Sequence, residues 1–156
     1  MIRVQKEDFD VGFEIKNLTA NNTKIGGVAS FIGFVRDYAK DQKISSIMLE
    51  HYPGMTEKQL KKIEKQAKTR WDLQEILIVH RYGVLTPGDQ IVLVVTSSPH
   101  RQDALQSCQF LIDWLKTKAP FWKLETGDKS STWVSERESD IIAADRWTNT
   151  LTKDNF

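Results

Sequence analysis

The sequence predicts an α+β fold with mainly antiparallel pairing in one domain over residues 1–156, and three observations carry that reading. β-rich and helical segments are mixed without the one-strand, one-helix alternation of a doubly wound parallel sheet. Two β-rich runs, 75–82 and 90–97, flank a Pro87-Gly88 turn signal and read as a hairpin. No internal repeat, low-complexity stretch or linker divides the chain, and 156 residues suit a single core.

Each element has its own signal. Ile2, Val4 and their neighbours form a short strand pattern. Asp10 is placed to cap a short helix bearing Val11, Ile15 and Leu18 at i, i+4 and i+7. Residues 21–24 read as a turn. Residues 26–35 carry apolar side chains on both faces, so they predict a strand buried on both sides or lying at an interface. Gly26, Gly27 and Gly33 within it point to bulges or close backbone approach. The polar stretch 36–43 reads as a flexible loop and 44–52 as the next strand. After the Pro53-Gly54 break, Thr56-Glu57-Lys58-Gln59 matches a capping box, with Thr56 as the cap of a helix running to Trp71. Ser98-Pro99 predicts the start of a second long helix, whose apolar face is Ala104, Leu105, Cys108, Leu111, Ile112 and Leu115. Lys116 and Lys118 sit near its end, where cations complement the helix dipole, and Pro120 stops it. Residues 121–125 and 132–134 read as strands, 139–147 as a last helix, and 148–156 as a loosely held tail.

Composition excludes several classes of function. Lys plus Arg number 22 against 21 Asp plus Glu, so a net charge of +1 supplies no global attraction to nucleic acid or membrane. The longest apolar runs, 76–79 and 91–95, are far too short to span a bilayer. The first ten residues hold three acidic groups and read as no secretory signal, which makes the cytoplasm the expected compartment. One Cys makes neither an internal disulfide nor a Cys-based zinc site, and His51, His80 and His100 lack metal-ligand spacing. No metal and no cofactor is expected. Phosphate-loop, dinucleotide and nucleophile-elbow motifs are missing from the sequence.

The residues left for chemistry are few. Cys108 lies on the apolar helical stripe and reads as a small core side chain. Lys58, Lys61, Lys62, Lys65 and Lys68 lie opposite Leu60, Ile63 and Ala67, as a solvated helix face does. An RNA-binding stripe is the lesser alternative, because no aromatic interleaves with them. His100-Arg101 at a helix start joins free N–H groups and a guanidinium, a combination that suits an anion or is plain surface. Lys116 and Lys123 flank the Pro120 turn. Alternation puts Phe121, Lys123 and Glu125 on one strand face and Trp122 and Leu124 on the other. A lysine partly desolvated among aromatics, with a second ammonium nearby, has a lowered pKa and can serve as acid, base or nucleophile. The alternative is two exposed lysines with an ordinary Lys123–Glu125 ion pair.

At these residues the chain resembles a known family, the large, catalytic subunits of molybdopterin synthase (the MoaE family). The resemblance rests on Phe31-Ile32-Gly33-Phe34-Val35-Arg36, Leu49-Glu50-His51-Tyr52-Pro53-Gly54-Met55, His80-Arg81-Tyr82-Gly83 and His100-Arg101. It continues through Asp113-Trp114-Leu115-Lys116, Ala119-Pro120-Phe121-Trp122-Lys123-Leu124-Glu125 and Glu136-Arg137-Glu138-Ser139-Asp140. These stretches stand in the family's order between residues 26 and 147. The resemblance implies an α/β hammerhead with an additional small antiparallel sheet. It implies a central homodimer within a heterotetramer, each end binding a ubiquitin-like sulfur-carrier subunit whose Gly-Gly thiocarboxylate tail enters a pocket. The implied reaction is a sulfurtransferase one, adding two sulfurs to cyclic pyranopterin monophosphate to form the dithiolene of molybdopterin, in molybdenum cofactor biosynthesis. Carried over by position, Lys116 and Lys123 match the active-site lysines. Arg36, His100 and Arg101 match basic residues of the substrate pocket, and Phe31, Glu125 and Arg137 match further pocket positions. Two departures stand out: Asp37 where Asn is common, and Leu124 where a basic residue is frequent. The competing reading is a non-catalytic adaptor whose lysines hold a partner's acidic C-terminal tail.

Overall fold

The structure, a computed structural model, describes residues 1–148; the tail expected over 148–156 lies, but for Thr148, outside the described residues. Its elements are β1 (Ile2–Gln5), α1 (Val11–Thr19), β2 (Gly27–Phe34), β3 (Tyr38–Ala39), β4 (Gln42–His51), α2 (Met55–Arg70) and β5 (Glu75–Arg81), then β6 (Gly83–Leu85), β7 (Gln90–Ser98), α3 (Arg101–Thr117), β8 (Phe121–Gly127), β9 (Ser131–Val134) and α4 (Glu138–Asp145).

Two sheets organise them. The first has the order β1-β5-β7-β2, with β1 parallel to β5 and the other pairs antiparallel. The second has the order β3-β4-β8-β9, with β6 also paired to β4, all antiparallel. The α+β reading therefore holds. The predicted hairpin β5–β7 is present, but its connection makes an excursion: β6 leaves the first sheet and pairs Gly83, Val84 and Leu85 with β4 of the second. That crossing ties the two sheets together.

The first sheet is buried on both faces at its centre. Ile76, Ile78, Val92 and Val94 pack against Ile63 and Ala67 of α2 and Ala104, Cys108 and Leu111 of α3. Leu77, Val79, Leu93 and Val95 face the other way, onto Phe9 and the apolar side of α1. Burial of this kind contributes roughly 25 cal/mol per Å² of apolar surface and is the main force joining helices to sheet. A smaller core of Val35, Ala39, Ile44, Ile47, Leu49 and Leu85 sits beneath the second sheet.

Three local expectations are corrected. Residues 36–43 are not simply a loop: they form the β3–β4 hairpin, because Ala39 is buried in the second core and Asp37 O accepts from Ile44 N at 2.7 Å. α2 starts at Met55, not after Thr56. Glu57 accepts from Gly54 N at 2.6 Å, while the Thr56 hydroxyl, fully buried, accepts from Tyr52 N. α3 starts at Arg101 rather than after Ser98, whose Oγ instead accepts from His100 N at 3.1 Å in the turn before the helix. Asp10 does cap α1, accepting from Phe13 N.

β2 is an edge strand, not one buried on both sides by its own chain: Ala29 is covered, while Val28, Phe31 and Phe34 remain exposed. Its glycines do permit close approach. A Cβ on Gly26 would stand 2.1 Å from Pro99 O, and one on Gly27 would touch the Arg101 backbone, so the start of α3 rests directly on the start of β2. Among the described residues no helix is long and apolar enough to cross a membrane.

Candidate active site

A cleft of about 380 Å³ opens where the end of β2, the end of α3, β8 and the β9–α4 connection meet. Each element delivers particular side chains. The residue after Val35, which closes β2's run into the second core, is Arg36. The last turn of α3 presents Lys116. Beyond it, Lys118 N bonds Trp114 O to close the helix, Pro120 prevents its continuation, and the chain turns straight into β8. Phe121, Lys123 and Glu125 then point into the cleft by strand alternation, as the sequence predicts. Arg137, at the N-cap position of α4, and Asp140, in its first turn, complete the wall.

The cleft holds four cations, Arg36, Lys116, Lys123 and Arg137, against three carboxylates, Glu125, Glu136 and Asp140. The two lysines are not equivalent. Lys123 Nζ lies 2.9 Å from Glu125 Oε1, so its ammonium has a counter-ion. Lys116 has no ion pair within 4 Å among the described residues. Its pKa is pushed below the ordinary lysine value, first by desolvation in the cleft and next by the Lys123 charge. Asp140 opposes the shift, and Arg137 and Arg36 add to it. Lys123 thus has an ion-pair partner, whereas Lys116 is inclined to give up its proton.

Behind the cleft, Phe121 stacks on His80 with ring centroids 3.7 Å apart and 14° between planes. Nδ1 of His80 lies 2.8 Å from Arg81 O; a carbonyl only accepts, so Nδ1 carries the proton. Burial holds the His80 pKa down to about 4. The ring is therefore neutral at pH 7 and adds no charge beside Lys116.

Of the residues singled out in the sequence, Arg36, Lys116, Lys123, Glu125 and Arg137 come together in this one cleft. Phe31, His100 and Arg101 do not. Phe31 lies part-exposed mid-way along β2, paired with Val94. His100 and Arg101 are exposed at the opposite end of α3, and fifteen residues at about 1.5 Å each put Arg101 about 22 Å from Lys116. Sequence reasoning missed Asp140, Glu136 and His80. Asp140 had a readable signal, since an acid in the first turn of a helix stands near whatever that N-terminus faces. His80 had none, because its stack depends on the pairing of two sheets. Cys108 is buried and its thiol is pushed up to about 11, as a core side chain. The five α2 lysines are exposed on the outer face, and no group of His, Cys, Asp and Glu among the described residues could hold a metal ion.

The model of the MoaE protein family matches residues 4–118. The chain is 51% identical over 146 residues to the molybdopterin synthase catalytic subunit of Ralstonia nicotianae, covering 94% of this chain and 83% of that one. Among solved structures it is similar to the molybdopterin biosynthesis MoaE protein from Burkholderia ambifaria. The TM-score is 0.81 and the identity 49%, over 95% of this chain and 97% of that one. It is likewise similar to a molybdopterin synthase structure from Staphylococcus aureus, with a TM-score of 0.78 and 32% identity over 85% and 96% of the two chains.

Proposed function

The chain belongs to the MoaE protein family, and from that premise we propose that it is the catalytic subunit of a molybdopterin synthase, a sulfurtransferase. Sulfur passes from the C-terminal thiocarboxylate of a small ubiquitin-like subunit to cyclic pyranopterin monophosphate, forming the dithiolene. The observation that carries this reading is the convergence of Arg36, Lys116, Lys123 and Arg137 on one cleft, where Lys116, with no ion pair within 4 Å among the described residues, is lowered in pKa. Substrate phosphate and thiocarboxylate are both anions, and guanidinium and ammonium groups recognise them with charge-assisted bonds. Opening a cyclic phosphate and accepting sulfur at carbon require proton transfers. Lys116, its pKa lowered by burial and the Lys123 charge, is suited to take or give a proton, and Lys123, paired with Glu125, to hold an anion in place. The chemistry of these residues calls for no metal or cofactor.

A homodimer built on β2 accounts for the residues that lie outside the cleft. Among the described residues β2 is an edge strand carrying exposed Val28, Phe31 and Phe34. Antiparallel pairing of two β2 edges about Ser30 and Phe31 sets the Gly27 end of one copy, where α3 begins, against the Phe34 end of the other. His100 and Arg101 of one subunit then approach the cleft of its partner. The assembly reads as a homodimer carrying two small subunits, acting in the cytoplasm.

The test is reconstitution. The purified chain, a thiocarboxylated small subunit and cyclic pyranopterin monophosphate are mixed and dithiolene product is measured. Product supports the proposal. Stable binding of the small subunit without turnover refutes it in favour of the adaptor.

A further inference from the structure

Asp113 is a carboxylate only 6% exposed, one helical turn before Lys116 on α3. A buried charge is costly unless paired and hydrogen-bonded, and Asp113 is both. Gln109 Nε2 donates to Oδ1 at 2.9 Å, while an Arg146 guanidinium nitrogen and Trp147 Nε1 donate to Oδ2 at 2.6 and 2.7 Å. Arg146 and Trp147 follow α4 directly. Among the described residues, α4 itself buries little. It is eight residues long, Ala144 alone is buried, and Ile141 and Ile142 are 42% and 65% exposed. A helix of two turns does not persist on its own. Its far end is therefore the anchored one. There the Trp147 ring meets Phe110 and Trp71 edge-on; Asp113 holds the Arg146 and Trp147 side chains, while Arg70 Nη1 donates to Trp147 O at 3.0 Å. Its near end carries Arg137 and Asp140 into the cleft.

We propose that Asp113 is a positioning residue: through Arg146 and Trp147 it latches α4 onto α3 and so sets Arg137 and Asp140 beside Lys116. The inference rests on the reading of the cleft as the substrate site. It gives the buried carboxylate a part in the reaction that it performs without touching substrate, by fixing a cation on an element too short to fix itself.

Asp113→Asn keeps the side-chain shape and removes the charge. Released from its latch, Arg137 loses its contact with the substrate anion, and KM for pyranopterin rises about tenfold with a smaller change in kcat. Amide exchange in residues 138–145 quickens while β4 and β8 stay as in wild type. In the Asp113→Asn background, adding Arg137→Ala costs little more, because the two changes remove one interaction. Arg146→Gln opens the same latch from the solvent side, where misfolding is not at issue, and Arg146→Lys restores part of it. Unchanged exchange in α4, unchanged KM despite faster exchange, or full additivity of Asp113→Asn with Arg137→Ala each overturns the proposal. The exchange experiment needs no turnover, so it judges the latch even if the wild-type chain made no dithiolene, an outcome that would refute the proposed function instead.

Discussion

His80 makes the stability of this protein acid-sensitive in a way that one substitution removes. Its folded pKa is about 4 against 6.5 for the unperturbed ring, with burial as the main cause, opposed by the bond to Arg81 O, and the Lys116 and His51 charges adding to it. Between these values the unfolded chain binds a proton that the folded chain refuses, so stability falls as pH drops from 6.5 toward 4 and rises as pH rises. At about 1.36 kcal/mol per pK unit the full effect is about 3 kcal/mol, of which about 2.5 kcal/mol is lost by pH 4.5. For a chain of this size that corresponds to about 5–10 °C in Tm. His80→Phe keeps the stack on Phe121 and deletes the titration, at a cost of about 1 kcal/mol for the lost bond to Arg81 O. Glu64 and Asp89, whose lowered pKa values also weaken the fold in acid, are the same in both proteins and cancel. Urea melts from pH 7.5 to 4.5 should show the variant weaker at neutral pH, the curves crossing near about pH 6, and the variant stronger at pH 4.5. Parallel curves across the whole range would show that His80 charges freely in the folded state, and the reasoning would fail.

Four further outcomes are expected. Lys116→Ala nearly abolishes dithiolene formation with the fold intact, while Lys58→Ala, on the outer face of α2, behaves as wild type; a Lys116→Ala enzyme turning over normally removes Lys116 from the chemistry. Lys123→Ala leaves weak activity whose rise with pH moves to higher pH, because the Lys123 charge is one cause of the lowered Lys116 pKa; a rate profile that stays put argues against that coupling. Arg101→Ala weakens substrate binding by about tenfold to a hundredfold, the loss of one charge-assisted bond. An unchanged affinity with a lowered Tm makes Arg101 structural. Cys108 resists thiol reagents at pH 8 until the chain unfolds, and rapid labelling of the native protein contradicts its burial.

Much of the fold was legible because the elements that matter most are long and periodic. α3 shows its apolar face from Ala104 to Leu115, and β5 and β7 announce their hairpin through Pro87-Gly88. Both misplaced helix starts have one physical cause. A hydroxyl near a helix N-terminus satisfies backbone donors from several positions, and here Thr56 and Ser98 accept from Tyr52 N and His100 N rather than acting as the cap. β3 and β6 hold two and three residues, too few for any period to register. β2 was ambiguous for a deeper reason: an apolar strand reads the same whether its own chain or another copy covers it.

The site divides along the same line. Lys116, Lys123, Phe121 and Glu125 were legible because a Pro turn and strand alternation fix them locally, and Arg36 and Arg137 only through family resemblance, since nothing in sequence ties residues a hundred apart. His100 and Arg101 test what one chain can do. α3 is a rigid spacer, and a ligand held by Lys116 cannot also be held by an Arg101 about 22 Å away on the same helix. If both groups serve one substrate, two chains share each site, and complementation follows. A Lys116→Ala homodimer and an Arg101→Ala homodimer are each impaired. Unfolded together and refolded, they form mixed dimers in which one of the two clefts has an intact Lys116 from one chain and an intact Arg101 from the other. Activity in the mixture should then exceed the sum of the separate variants. A strictly additive mixture would mean that each chain uses only the groups in its own cleft, and Arg101 would leave the site while Arg36, Lys116, Lys123 and Arg137 stay.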